Sequence, residues 1–246
     1  MKVVFVGPSL PDAATFVETG IEIRPPAVQG DILDAVKSGV CAIGLIDGNF
    51  EFVAPVWHKE ILFALSMGVR VLGAASMGAL RACECAAFGM VGVGKIYEDY
   101  VSGRLVDDAD VALLHGPREL GWIPLTIPIV NVTATLDWLW ARNMLTPDEV
   151  AALSNAAGQI FYKDRTWANI VERADLPAST ERIHVLQMLR SAAVNAKASD
   201  ARLLLDHLAA APLQRSTVQP VWEFHATSMW HALGVSSQEV VHSERI

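Results

Sequence analysis

The sequence predicts an α/β fold in which an N-terminal parallel sheet flanked by helices is followed by an all-helical C-terminal half. Over the first 120 residues, short apolar runs typical of buried strands alternate with helix-like stretches. Strand signals cease after about residue 130 and helical patterns take their place. The alternation indicates a Rossmann- or flavodoxin-like sheet, with functional loops at the carboxyl ends of its strands.

Strand and helix signals follow one another in a regular order. The predicted strands are 3–7, 22–25, 42–47 and 70–75, and the predicted helices are 12–20, 30–39, 55–68 and 77–88. Candidate functional residues follow three of these strands, in the loops Gly7-Pro8-Ser9, Asp47-Gly48-Asn49 and Ala75-Ser76-Met77. Because parallel strands end at the same edge of a sheet, we expect the three loops to converge on one crevice.

The helical half begins after Pro124 and Pro128, so we divide the chain into an α/β core of residues 1–130 and a helical region of residues 131–246 packed on it. Its predicted helices are 133–145, 146–158, 181–195 and 199–210. In the second of these, Thr146 is the expected N-cap, with Pro147 at the first helical position and Glu149 completing a capping box. Trp222, Phe224 and Trp230 indicate a packed helix in the tail.

Composition excludes several classes of protein. With 246 residues, 52% hydrophobic and 19% charged, the chain is typical of a globular protein. A net charge of -8 without a basic cluster argues against nucleic acid as a ligand. No apolar run reaches the ~18 residues that span a bilayer, and the first residues are too strand-like for a signal peptide. We therefore expect a cytoplasmic protein without a membrane partner. The three cysteines lack the spacing of a zinc site, and no metal or other cofactor is expected.

Residues 69–82, VRVLGAASMGALRA, carry the strongest indication of chemistry. An apolar run ends in small residues, presents Ser76 and passes through Gly78 into a helix. Ala74 and Gly78 flank the serine two positions to either side, a relaxed form of the G-x-S-x-G turn of hydrolases. Backbone N–H groups at the helix start, beginning at Met77, can stabilise an oxyanion there. The same residues suit an ordinary helix start with Ser76 as N-cap, so both interpretations stay open.

A serine nucleophile needs a base, and His58, Lys59 and His115 all lie close in sequence to the strand ends. A lysine serves only if its pKa falls from ~10.4 toward neutrality. Lys59 falls at one margin of the apolar arc of its predicted helix, so its stem can pack while its amine reaches the crevice. His58 falls at the other margin, and the periodicity does not choose between them.

Glu60 lies well inside that apolar arc and must be paired or hydrogen-bonded if it is buried. Arg81 and Glu84, spaced i,i+3 on the predicted helix 77–88, are its expected neighbours or a pair of their own. For these three residues we favour a structural role.

Six motifs in order along the chain resemble those of TfuA-like proteins, the partners of YcaO enzymes in peptide backbone thioamidation. They are FVGPSL (5–10), IDGNF (46–50), HKEILFAL (58–65), GAASMGALRACE (73–84), FGMVGVGKIY (88–97) and DADVALLHG (108–116). The resemblance covers most of residues 3–133 and is weak in the helical half.

The resemblance implies a function and a site. TfuA-like proteins are described as hydrolysing a thiocarboxylated ubiquitin-like sulfur carrier of the ThiS type, which releases sulfide to YcaO, and as helping to recruit the precursor peptide. Their site pairs a serine with a lysine, and these match Ser76 and Lys59 here. The resemblance thus implies that Ser76 Oγ and Lys59 Nζ lie within hydrogen-bonding reach. A non-catalytic adaptor that docks the carrier and the peptide onto YcaO is the alternative.

The remaining site residues are expected to assist. We expect the Met77 N–H and a donor from the 7–9 or 47–49 loop to hold the oxyanion. The candidates in those loops are Gly7, Ser9, Asp47 and Gly48, and the supporting or alternative residues are His58, Glu60, Arg81 and His115. From the helical half, Arg165 and Trp167 are expected near the crevice or its rim.

Overall fold

A five-stranded parallel sheet organises the N-terminal part of the chain in the computed structural model, which describes residues 1–17, 19–49, 51 and 53–232. Its strands are β1 (Lys2–Phe5), β2 (Ile21–Arg24), β3 (Ala42–Leu45), β4 (Arg70–Ala74) and β5 (Val91–Val93). Their spatial order is β2-β1-β3-β4-β5, and every pair is parallel. The predicted fold class is confirmed, and the order reverses between β1 and β3, where α/β sheets open a crevice for ligands.

One local prediction was wrong, and one strand was not predicted. The segment 12–20 forms no α-helix but a 3₁₀ turn over Ala13–Thr15, with Glu18 outside the described residues. Pro11 before the segment and the β-branched Thr15 and Val17 within it weaken a helix there. In addition, β5 escaped prediction because three residues around a glycine make too short a strand signal.

One face of the sheet is covered by α1 (Asp31–Lys37), α2 (His58–Ser66) and α3 (Met77–Cys85). The other helices are α4 (Lys95–Val101), α5 (Ile129–Trp140), α6 (Pro147–Gln159), α7 (Trp167–Arg173), α8 (Arg182–Ser191), α9 (Ala196–Ala209) and α10 (Ser228–Ala232). The first face buries alternate strand residues such as Phe5 and Leu45, as the period of two requires.

Helix α9 from the helical half covers the opposite face of the sheet. Its Leu204, Leu205 and Leu208 pack on the alternate strand residues that point to this side, such as Val4. A Cβ on Gly44 of β3 would lie 2.7 Å from Leu204 Cδ2, so the glycine lets α9 approach closely. The α/β core is thus completed by a late helix.

The rest of the helical half has its own core, formed mainly by α5 to α8. The capping box predicted for α6 is present, because Thr146 Oγ1 accepts from the Glu149 N–H and the Glu149 carboxylate accepts from the Thr146 N–H. In the tail, Trp230 is fully buried and packs on Phe63 at 5.1 Å between ring centroids, while residues 233–246 lie outside the described residues. No helix of the described chain is long and apolar enough to cross a membrane.

Candidate active site

The turn between β4 and α3 holds Ser76 in a strained backbone. Ala75 has φ +67°, and the Ser76 N–H donates to Ala74 O at 2.8 Å across it, which closes a γ-turn. A non-glycine residue in this region is uncommon and persists only where the surroundings hold it. Gly78 supplies that hold, because its N–H donates to Ile46 O at 3.1 Å and any Cβ would lie 1.8 Å from Leu45 O.

The Ser76 side chain does not cap the helix that follows it. Ser76 occupies the N-cap position of α3, yet its hydroxyl makes no capping hydrogen bond. Nor does Ser76 Oγ have a hydrogen-bond partner elsewhere among the described residues. Ser76 therefore occupies the N-cap position, as one interpretation predicted, but its hydroxyl does not make the hydrogen bond of an N-cap.

A cavity of about 330 Å³ opens at Ser76, where the carboxyl ends of the strands meet. Its walls come from the strand-end loops, the 111–115 segment and two residues of the helical half. They include Pro8, Pro26, Asp47, Gly48, Asn49, Glu51, Ser76, Val111, His115, Tyr162 and Lys197. The three strand-end loops thus converge on one crevice, as predicted.

Asp47, in the second loop, holds the first loop through hydrogen bonds to both of its carboxylate oxygens. One carboxylate oxygen accepts the N–H of Gly7 at 2.9 Å and that of Ser9 at 3.0 Å, and the other accepts the Ser9 hydroxyl at 2.6 Å. The N–H groups of Gly7 and Ser9 were candidate oxyanion donors, and the structure corrects this expectation because both already donate to Asp47.

Two other N–H groups remain available beside the cavity. Within the described part of the chain, neither the Met77 N–H nor the Gly48 N–H has an acceptor, whereas the Asn49 N–H donates to Ala27 O at 2.9 Å. Gly48 and Met77 are in contact, since a Cβ on Gly48 would lie 2.3 Å from Met77 Sδ. Because Met77 also begins helix α3, its N–H and that of Gly48 are candidate oxyanion donors.

Lys59 is directed elsewhere. Its Nζ lies 4.7 Å from the centroid of the Phe224 ring, in a cation–π contact beside the aromatic cluster of Phe63 and Trp230. It does not line the Ser76 cavity, and no hydrogen bond joins it to Ser76 among the described residues. The structure thus does not bring the two expected partners together. Its ammonium lies instead against Phe224 in the tail, which contacts α2 through Phe63.

The lysine that lines the Ser76 cavity is Lys197, from the first turn of α9. Its side chain is 1% exposed, and its Nζ donates to Val111 O at 2.8 Å. Burial lowers the pKa of its ammonium to about 8, against the opposing influence of the Asp47 carboxylate. A helix N-terminus also disfavours a positive charge. Burial thus brings the pKa of Lys197 closer to neutrality than that of an ordinary lysine, so its neutral form is more accessible.

Sequence reasoning missed Lys197, although a signal for it exists. Along α9 the buried residues Ala201, Leu204 and Leu208 follow Lys197 at helical spacing, so the lysine stands at the head of the apolar stripe. A lysine in that position is either paired or chemically useful, because an isolated buried charge is costly.

His115 also lines the cavity. Its Nδ1 lies 2.8 Å from Gly116 O, and its ring meets Trp122 edge-to-face at 5.5 Å between centroids. Since a carbonyl can only accept, the Nδ1 atom carries the proton and Nε2 of the neutral ring keeps its lone pair. His115, an alternative base in the sequence prediction, is thus placed at the site.

Three other predicted residues are structural. His58 Nε2 and Arg81 Nη1 both contact the Glu84 carboxylate, at 2.7 Å and 2.6 Å, on the outside of α2 and α3. Glu60 is fully buried and accepts the Gly30 N–H at 2.9 Å and the Trp57 N–H at 3.3 Å. Burial raises the pKa of Glu60, and these backbone bonds oppose the rise. Glu60 is therefore hydrogen-bonded as expected, but to backbone rather than to Arg81.

The helical half meets the site through residues 161–167. Tyr162 lines the Ser76 cavity and its hydroxyl donates to Glu51 at 2.8 Å. Arg165, expected at the rim, is instead buried and donates to Ala157 O and Ile160 O, both at 3.0 Å, at the end of α6. Trp167 lines a neighbouring cavity of about 220 Å³ that shares Pro8, Leu113 and Lys197 with the first.

Comparison with known proteins agrees with the sequence motifs. The family model described as TfuA-like protein matches residues 47–166. This part of the chain is a TfuA-like domain. It contains Ser76 and His115 but ends before Lys197. No curated protein matches the chain. The TfuA-like domain links the chain to YcaO-type thioamidation.

Proposed function

We propose that this protein hydrolyses a thiocarboxylated ubiquitin-like sulfur carrier of the ThiS type and releases sulfide for a partner YcaO enzyme, which thioamidates a precursor peptide. The observation that carries the proposal is that Ser76, with an uncommitted hydroxyl on a strained turn, shares one cavity with the buried Lys197. In this proposal Lys197 replaces Lys59 as the base of the serine–lysine pair.

The proposed first half reaction assigns one role to each of these groups. Neutral Lys197 takes the proton of Ser76, whose oxygen bonds to the carbonyl carbon of the carrier's terminal thiocarboxylate. The N–H groups of Met77 and Gly48 hold the oxygen of the tetrahedral intermediate. The C–S bond then breaks as Lys197 returns the proton to sulfur, and hydrosulfide leaves. The product is an ester between Ser76 and the carrier, which water hydrolyses to free carrier.

Several features of the cavity support a thin, anionic substrate end. Proline and glycine residues (Pro8, Pro26 and Gly48) form part of its walls, so the backbone of a glycine-rich tail can approach closely. The charged form of Lys197 also attracts the thiocarboxylate before the proton transfer. Sulfide is a good leaving group, so a serine–lysine pair without a third orienting residue suffices for the step.

The test uses the full-length protein and a thiocarboxylated carrier, with sulfide release and the intact carrier mass as readouts. Ser76→Ala is expected to abolish sulfide release, while Ser102→Ala, at the exposed end of α4, keeps the wild-type rate. Retained sulfide release by Ser76→Ala would contradict the proposal. If the wild-type protein releases no sulfide but binds YcaO and the carrier, the adaptor alternative holds.

A further inference from the structure

His115 lies in the Ser76 cavity in a fixed orientation, and the first half reaction does not use it. Its Nδ1–H donates to Gly116 O at 2.8 Å, and among the described residues Nε2 has no hydrogen-bond partner. The neutral ring therefore offers a lone pair at Nε2. A base that is both oriented and unpartnered inside a reaction cavity calls for a chemical explanation.

The backbone around His115 is built to hold this ring. Residues 114–125 form a narrow loop closed by the Gly116 N–H to Ile123 O bond and the Leu125 N–H to Leu114 O bond, both 2.8 Å. At its bend Trp122 has φ +58°, a conformation that costs free energy in a non-glycine residue. The bend places the Trp122 ring edge-to-face with His115. The strained backbone at Trp122 thus helps to fix the position of the His115 ring.

Lys197 and His115 differ in their access to water. Lys197 is 1% exposed and bonded to Val111 O, whereas His115 is only half-buried. The first half reaction needs a buried base that takes the proton of the serine hydroxyl. The second needs a base that meets a water molecule entering from solvent after sulfide has left. The two side chains suit these two different tasks.

We propose that His115 is the general base of the second half reaction, an inference that rests on the proposed function. Nε2 takes a proton from water as the water oxygen bonds to the carbonyl carbon of the Ser76 ester. The tetrahedral intermediate collapses, the bond from that carbon to Ser76 Oγ breaks, and the imidazolium returns its proton to Oγ. Free serine and the carrier's carboxylic acid result, and the acid loses its proton to solvent.

The decisive variant is His115→Asn, because an asparagine amide can still donate to Gly116 O but has no atom in place of Nε2. His58→Asn is the matched control, since His58 contacts Glu84 outside the cavity. We expect a single-turnover burst of sulfide from His115→Asn, followed by hydrolysis slowed by roughly 10²-fold or more. The intact mass should show the carrier acyl group on Ser76. Added imidazole should restore turnover in His115→Gly, since that variant leaves space for it.

The outcomes distinguish the role of His115 from the proposed hydrolase function. Wild-type turnover by His115→Asn without an adduct overturns the role of His115 and leaves the hydrolase intact. Loss of the burst itself would also overturn it, since His115 would then act on Ser76 directly. A wild-type protein that releases no sulfide overturns both. Circular dichroism and a second variant, His115→Gln, distinguish a chemical defect from misfolding.

Discussion

Ser76 and Lys197 line the same cavity although the serine belongs to the α/β sheet and the lysine to a helix of the C-terminal half. In the proposed mechanism, the strand-end loops of the sheet supply the nucleophile and the oxyanion donors, and α9 supplies the amine while it covers one face of the sheet. On that proposal, catalysis and packing on this side of the molecule depend on the same helix.

Lys197→Met should abolish sulfide release and at the same time stabilise the protein at pH 7. A buried ammonium is costly, and methionine fills a similar volume without a charge. Lys2→Met is the matched control, because Lys2 is also buried and donates to a helix carbonyl, Ala209 O, but lies outside the cavity. Hydrolysis rates and urea unfolding of the three proteins test this. An active Lys197→Met variant would remove Lys197 from the mechanism.

The acylation rate and the stability of the wild-type protein should both depend on pH through the Lys197 amine. Because the proposed reaction needs neutral Lys197, the acylation rate should rise with pH through about 8. In the unfolded chain the Lys197 amine has the ordinary lysine pKa of ~10.4. Between about pH 8 and that value the unfolded chain therefore binds more protons than the folded state, so the free energy of unfolding rises with pH. Relative to Lys197→Met, the gain across this window is on the order of 3 kcal/mol. If the difference in the free energy of unfolding between the wild-type protein and Lys197→Met does not change with pH, the lowered pKa of the buried Lys197 is contradicted.

Lys59→Ala should keep sulfide release and lose only stability. Its cation–π contact with Phe224 is worth about 0.5–1 kcal/mol at a half-exposed position. Lys59→Arg preserves that contact and serves as the control for charge. A loss of hydrolysis by ~10²-fold in both variants would instead return the base to Lys59, as the family resemblance implied.

Gly78→Ala should prevent the Ser76 turn from forming. The added Cβ would lie 1.8 Å from Leu45 O, and backbone cannot move aside cheaply, so we expect a loss of about 3 kcal/mol or more in the free energy of unfolding. Gly158→Ala in α6 is the control, because nothing lies within 4 Å of its Cβ position. That variant should gain about 0.5–1 kcal/mol from helix propensity. Equal stability of the two variants would show that the turn is not fixed by close packing.

A fragment of residues 1–133 should not fold into a soluble protein. Without α9 one face of the sheet, including Val4, Ile46 and Leu72, is exposed to water as a continuous apolar surface. Expression trials and proton NMR of the fragment test this, with the full chain as reference. A well-folded, soluble fragment would establish that the two predicted regions are independent domains.

The sequence was sufficient for those features that local chemistry determines. The strand ends, the turn at Ser76 and the capping box of Thr146 each follow from short runs of residues whose types impose their conformation. The partner of Ser76 is different in kind. Lys59 and Lys197 both lie in the first turn of a helix that packs on the sheet, and only the docking of each helix decides which amine lines the cavity of the serine. Proximity in sequence favoured Lys59, whose amine lies against Phe224, over Lys197, which lines the cavity.

The origin of Lys197 in a late helix has a consequence for the protein during its synthesis. The ribosome synthesises all five strands and the Ser76 turn long before it reaches Ala196, so for that time the nascent chain carries Ser76 without Lys197. In the proposed mechanism, a chain terminated ahead of Lys197 lacks the base and is expected to release no sulfide.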